Sequence, residues 1–218
     1  MLGIDRSEEK EMRNWIKIFF IMAAVCILAG CGSETVPDRN TVSIQKDGTI
    51  RQTIIERFEQ EYYDADTEAL GHYNIDIEEL EALAQEKISR LGRGDKIVCE
   101  SIKANGENII VEMTYQTDND YTDFNNRELF SGTVSEASAQ GYSMKNLVGQ
   151  DGAAVSEEEV SSAGESRIVI IQTNAGEALD VNVYGKIVYT SENISLSGKR
   201  DALIDAGEDG VVSYVIYQ

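Results

Sequence analysis

The chain has 218 residues, 42% hydrophobic and 27% charged, and its 19 Lys and Arg against 39 Asp and Glu give a formal net charge of −20. A surface of that sign repels phosphate polyanions and argues against nucleic acid as a partner. One histidine and three cysteines leave no basis for a multi-histidine zinc site or a disulfide-stapled scaffold.

Residues 1 to 11 carry Asp5, Glu8, Glu9 and Glu11 against Arg6 and Lys10, an acidic balance that suits a signal n-region poorly. Beginning at Met12 instead gives Met-Arg-Asn-Trp-Ile-Lys, a short basic n-region, so Met12 is the expected start. Arg13 and Lys17 then precede Ile18 to Leu28, eleven residues without a charge, and Leu28-Ala29-Gly30-Cys31 closes the run. A helix crossing hydrocarbon needs roughly 20 apolar residues, so this segment reads as an export signal and not as a permanent span.

Residues 12 to 33 resemble the signal of bacterial lipoproteins. The resemblance implies that a signal peptidase recognises Leu28, Ala29 and Gly30 and cuts before Cys31. It also implies that the Cys31 thiol carries a diacylglycerol thioether and that the new amino group is acylated in turn. The lipid bilayer is then the first partner, and the expected location is the extracytoplasmic face of the cell membrane. One buried chain binds marginally, at about 0.8 kcal/mol per methylene, whereas two on one cysteine suffice for stable retention.

Four cations and four acids precede Cys31, so the mature chain keeps 15 against 35 and the same net charge. With Cys26 removed and Cys31 acylated, Cys99 is the single free thiol, and cohesion must come from the core. The 188 residues after cleavage suffice for one domain that buries roughly 70% of its unfolded surface. Residues 31–40, with the chain's one proline at Pro37, read as a lipidated polar tether. Residues 41–218 read as a single acidic α+β domain, built from antiparallel hairpins and a meander. One main helix over about 76–91 is expected to pack on the sheet, with short helices near 118–140 and a mobile loop near 149–166.

Within that domain, Val42 and Ile44 alternate with polar residues, and Ile50, Gln52 and Ile54 resume the alternation after Lys46-Asp47-Gly48. A three-residue loop with Gly48 left-handed would pair Ile44 with Ile50. Glu56 to Asn74 is acidic and aromatic, and its local structure is ambiguous. Asp76 and Glu79 then form a capping pair, Ile77, Leu80, Ala84, Ile88 and Leu91 recur at helical spacing, and Gly92 can close the C-terminus.

Asn105-Gly106 separates two alternating runs, Lys96 to Lys103 and Asn108 to Tyr115. A type I′ turn there would pair Ile102 with Ile109, Val98 with Met113 and Glu100 with Val111, placing Cys99 opposite Glu112 on the other face. Cys99 has no histidine partner nearby in sequence and reads as a small structural residue.

Thr117 to Asn126 is dense in Asp and Asn, but an EF-hand counted from Asp118 would need glycine where Asp123 stands and glutamate where Leu129 stands. Tyr121 and Phe124, three apart, instead fit a short helix docking two aromatics. Thr133 and Glu136 cap a second brief helix that Gly141 would end. Residues 149 to 166, rich in Gly, Ser, Ala and Glu, read as a surface loop or a short helix. Arg167 to Gln172, Leu179 to Val183 and Ile187 to Thr190 then read as a meander. Ile194 to Leu196 and Val211 to Tyr217 add strands, with Gly198 to Gly210 as turns, and the last strand is expected to be central.

Tyr121 to Phe124, Leu129-Phe130-x-Gly132-Thr133-Val134, Gly141-Tyr142, Gly185 to Tyr189 and Tyr214 to Tyr217 resemble uncharacterised lipoproteins of Gram-positive gut bacteria. That likeness implies the envelope address and adds no chemistry. His72 stands alone, and no Gly-x-Ser-x-Gly, His-Glu-x-x-His or phosphate-cradling glycine loop occurs, so neither catalytic residues nor a cofactor or metal site can be nominated. The sequence favours a noncatalytic binding or assembly module with a protein or cell-wall partner. The alternative is an exported hydrolase using paired carboxylates.

Overall fold

The computed structural model describes residues 38–57, 61–64, 69–72 and 76–218. Cys31 with Leu28, Ala29 and Gly30, the expected signal peptide and residues 31–37 of the tether lie outside the described residues. The first hairpin joins β1 (Thr41–Ile44) to β2 (Ile50–Arg57), with Ile44 opposite Ile50 and Gly48 at φ +90°. That is the three-residue loop expected from its glycine. The ambiguous segment that follows holds a two-stranded ladder of β3 (Glu61–Asp64) and β4 (Ala69–His72).

Helix α1 (Ile77–Leu91) starts where the Asp76 side chain accepts from Glu79 N–H and ends at Gly92, left-handed at φ +64°. Its apolar stripe is less buried than its spacing implies. Ile88 is buried, Ile77, Leu80, Ala84 and Leu91 are half-buried, and Leu83 is exposed.

The strands β5 (Ile97–Asn105) and β6 (Asn108–Tyr115) form the expected hairpin in a different register. Asn105 pairs with Asn108, Ile102 with Val111 and Ala104 with Ile109, so Gly106 and Glu107 make the turn and the Ile102–Ile109 pairing is corrected. A bulge between Cys99 and Ser101 then takes up one residue, and Cys99 faces Met113 instead of Glu112. Because side chains alternate with period two, that extra residue moves Ile97 and Cys99 onto the core side and Val98 off it.

Helix α2 (Asp118–Asn125) buries Tyr121 and Phe124 as its spacing requires. Their rings lie 5.2 and 5.8 Å from that of Tyr115. Next come β7 (Leu129–Thr133), α3 (Val134–Ala139), whose Thr133–Glu136 capping box is complete, and β8 (Leu147–Gly149). Gly132 is required by proximity, since a Cβ there would collide with the Phe130 ring, which itself packs on Tyr142 at 5.3 Å. Within residues 149 to 166, a second capping box, Ser156 with Glu159, opens α4 (Glu157–Ser162) and lets Val160 reach the core.

The last strands are β9 (Arg167–Gln172), β10 (Leu179–Val183), β11 (Ile187–Ser191), β12 (Ile194–Leu196), β13 (Asp201–Ile204) and β14 (Val212–Tyr217). They do not form a meander. One sheet runs β12-β13-β10-β1-β2-β6-β5 and the other β7-β9-β14-β11-β8, so β9, β10 and β11 alternate between sheets. Strand β13 occupies part of the stretch expected to be turns. All pairings between these strands are antiparallel except β1 with β10, which is parallel.

The fold is α+β, with antiparallel pairing dominant, one main helix and short ones. Val42, Ile44, Met113, Val181 and Ile204 of the seven-stranded sheet share a core with Val169, Ile171, Val215 and Tyr217 of the five-stranded sheet. The opposite face of the five-stranded sheet packs Ile168, Ile170 and Ile216 against Val134 and Ala137 of α3 and Val160 of α4. The five-stranded sheet is therefore the middle layer. This explains why β9 reads as a continuous apolar run, since both of its faces are covered.

Candidate functional site

Parallel pairing of β1 with β10 sets Ile44 beside Val183, so the turns after these two strands leave the sheet at the same edge. Strand β13 runs antiparallel to β10, with Asp201 opposite Asn182, which brings the turn before β13 to that edge as well. Backbone bonds tie these pieces together. Val183 N–H donates to Arg200 O at 2.9 Å, Ile187 N–H to Lys199 O at 2.9 Å and Lys186 N–H to Gln218 O at 2.7 Å, and Gln218 N–H returns to Lys186 O at 2.9 Å.

The result is an open concave mouth of about 640 Å³. Lys46, Lys186, Lys199 and Arg200 contribute its charge, while Tyr184, Gly185 and Gln218 complete the lining. Four of the 15 cations that follow Cys31 therefore meet at one place, on a chain of net charge −20. None of the four forms an ion pair with a carboxylate among the described residues. The acids adjacent to them in sequence bond to neutral donors. Asp47 Oδ1 accepts from Thr49 N–H and hydroxyl at 3.0 and 2.7 Å, and Asp201 Oδ1 accepts from Asn182 Nδ2 at 2.8 Å.

Beneath the cations lie two tyrosine rings, with Arg167 beside the Tyr217 phenol. The half-buried Tyr184 ring stands edge-on to that of Tyr217 at 5.2 Å and 89°. Tyr217 is fully buried, and burial with Tyr184 beside it pushes its phenol up to about 12, so it stays protonated at neutral pH. Weakly polar walls under a charged rim strengthen the attraction between that rim and an anion.

Gly185 lets the chain close over this floor. A Cβ there would collide with Gln218 O and come within 2.7 Å of Tyr217 Cδ2. Gly185→Ala is expected to cost about 1–3 kcal/mol through overpacking. Gly94→Ala, where a Cβ meets nothing within 4 Å, provides the control. Urea midpoints of the two variants check this, and equal midpoints would refute it.

The remaining chemistry-bearing residues have structural settings. Cys99 is half-buried, and burial, with Glu81 and Glu100 nearby, raises its thiol above the ordinary value, which disfavours the nucleophilic thiolate. The acids of the 117–126 stretch serve the fold. Asp120 holds Arg93 and Thr117, Asp118 Oδ2 accepts from Ser131 N–H at 3.0 Å, and Asp123 pairs with Arg93. His72 lies in β4, and its surroundings are outside the described residues. Sequence patterns do not single out the four mouth cations. Their signal is three charged turns, at Lys46, Lys186 and Lys199-Arg200, each ordinary alone.

No protein-family model, no curated protein and no solved structure matches this chain.

Proposed function

We propose that the chain is an envelope lipoprotein, anchored through an acylated Cys31 on the extracytoplasmic face of the membrane, whose α+β domain is a noncatalytic binding module. The observation that carries the binding role is the gathering of four cations, none of them ion-paired among the described residues, at one mouth on a strongly acidic chain. Cations that serve only solubility are usually dispersed or paired, and several others here are paired. Arg93 holds Asp120 and Asp123, Arg57 meets Glu107 at 2.8 Å and Arg39 meets Asp38 at 3.2 Å.

The hydrolase alternative requires two carboxylates facing each other across a cleft. The mouth is lined by cations instead. Asp120, the buried carboxylate among the described residues, is occupied by Arg93 and Thr117. The acidic balance of the rest of the domain supports a tether that needs no basic membrane patch, because two acyl chains suffice for retention.

Anchoring is tested by mass spectrometry of the native protein and by fractionating cells that express the wild-type or Cys31→Ala chain. The expected result is an acylated N-terminal cysteine, with the wild type in the membrane pellet and the variant released. A bare sulfur at Cys31, or a variant that still sediments with membranes, overturns the proposal.

A further inference from the structure

We infer that the mouth binds a small phosphate ester, with the oxyanion among Lys46, Lys186, Lys199 and Arg200 and the uncharged part of the ligand against the Tyr184 ring. The inference rests on the binding-module reading above and names its ligand class. The volume, about 640 Å³, lies within the range of roughly 300–1,000 Å³ usual for small-molecule sites.

Both kinds of cation present here serve phosphate, the guanidinium fork by paired hydrogen bonds and lysine as a compact point charge. Three lysines and one arginine arrive here from three separate turns, an arrangement that suits the tetrahedrally disposed oxygens of a phosphate approached from several directions. The four positive charges outnumber the one carboxylate in the lining, the terminal group of Gln218, so the mouth keeps a positive balance that an anion can meet. The Asp47 and Asp201 carboxylates accept hydrogen bonds from Thr49 and Asn182 and form no ion pair with the four cations.

The surroundings limit the ligand's size. A long polyanion would leave the mouth onto a chain with 35 acids after Cys31 and be repelled, so the charge that fits is local and small. The concavity disfavours a flat bilayer surface. Tyr184, edge-on to Tyr217, offers an apolar ring against which a sugar or polyol can rest.

The test is calorimetric titration of the intact lipoprotein in detergent with glucose 1-phosphate and sn-glycerol 1-phosphate, with glucose and glycerol as uncharged controls. The esters are expected to bind and the controls not. Binding should weaken as ionic strength rises, because the rim is exposed. The double variant Lys186→Glu/Lys199→Glu should lose roughly 100-fold in affinity with an unchanged melting profile, since both side chains are exposed, while Lys145→Glu should bind as wild type.

Phosphatidylglycerol vesicles offered to the Cys31→Ala chain form the second arm. Vesicle binding in addition to ester binding identifies a lipid headgroup as the source of the ester, and ester binding alone identifies a soluble one. Three outcomes overturn the inference: no ester binding, ester binding untouched by the double variant, or vesicle binding without ester binding. Each can occur while Cys31 is acylated, so loss of the ligand assignment is distinguishable from loss of the anchored reading, which depends on the sulfur alone.

Discussion

Deleting Tyr214–Gln218 is expected to abolish folding outright. Strand β14 lies between β9 and β11, so its loss strips hydrogen-bond partners from both neighbours and splits the five-stranded sheet. Val215, Ile216 and Tyr217 are each 0% exposed, and they project to both sides of the middle layer, Val215 and Tyr217 into the shared core and Ile216 toward α3. Each such side chain contributes about 1.5–3 kcal/mol by burial, before the cavity left behind is counted. Their sum is comparable with the whole stability of an ordinary domain, about 5–15 kcal/mol. Circular dichroism of the deleted chain should therefore show no cooperative thermal transition. A soluble truncation that melts cooperatively would sink this expectation.

Asp120→Ala should cost about 3–5 kcal/mol, more than Gly185→Ala. The Asp120 side chain is completely buried, accepting from Arg93 Nη1 at 2.8 Å and from the Thr117 hydroxyl at 2.7 Å. Thr117 in turn caps α2 by accepting from Asp120 N–H at 3.2 Å, so one carboxylate fixes the helix start and the segment after α1 together. Truncation leaves the Arg93 guanidinium, only 29% exposed, with Asp123 as its remaining carboxylate. Replacing one partner of a buried pair is costly because the other stays desolvated, whereas replacing both by apolar residues of similar volume is often nearly neutral. Urea unfolding should accordingly show Asp120→Ala/Arg93→Met more stable than Asp120→Ala alone. A single-variant loss below about 1 kcal/mol would show that the pair does not hold α2 in place.

Local structure was legible wherever its determinants lie within a few residues. The Asp76 and Thr133 caps each act on a backbone N–H three residues on, and in both cases the sequence pattern and the observed bond coincide, whereas the Ser156 cap stands in a stretch that reads only as a loop or short helix. The β1–β2 loop follows from Gly48 alone, because a positive φ at that position sets the pairing of Ile44 with Ile50. The β5–β6 hairpin marks the boundary of this legibility. Two alternating runs about Asn105-Gly106 predict a hairpin correctly, but the turn forms on Gly106-Glu107 and a bulge shifts the distal half. Nothing in the alternation itself encodes a bulge, whose value here is to bring Ile97 and the half-buried Cys99 against the core.

By itself the sequence determined the α+β class, the Asp76 and Thr133 caps, the presence of the two hairpins and the continuous apolar run of β9. Only the tertiary structure decided which strands share a sheet, because β1 pairs with a strand 139 residues away and sequence periodicity is blind to such distances. The same long-range pairing gathers Lys46, Lys186, Lys199 and Arg200 at one edge. Each is an ordinary charged turn residue along the chain, and their shared field exists only once parallel β1 and β10 bring the turns together.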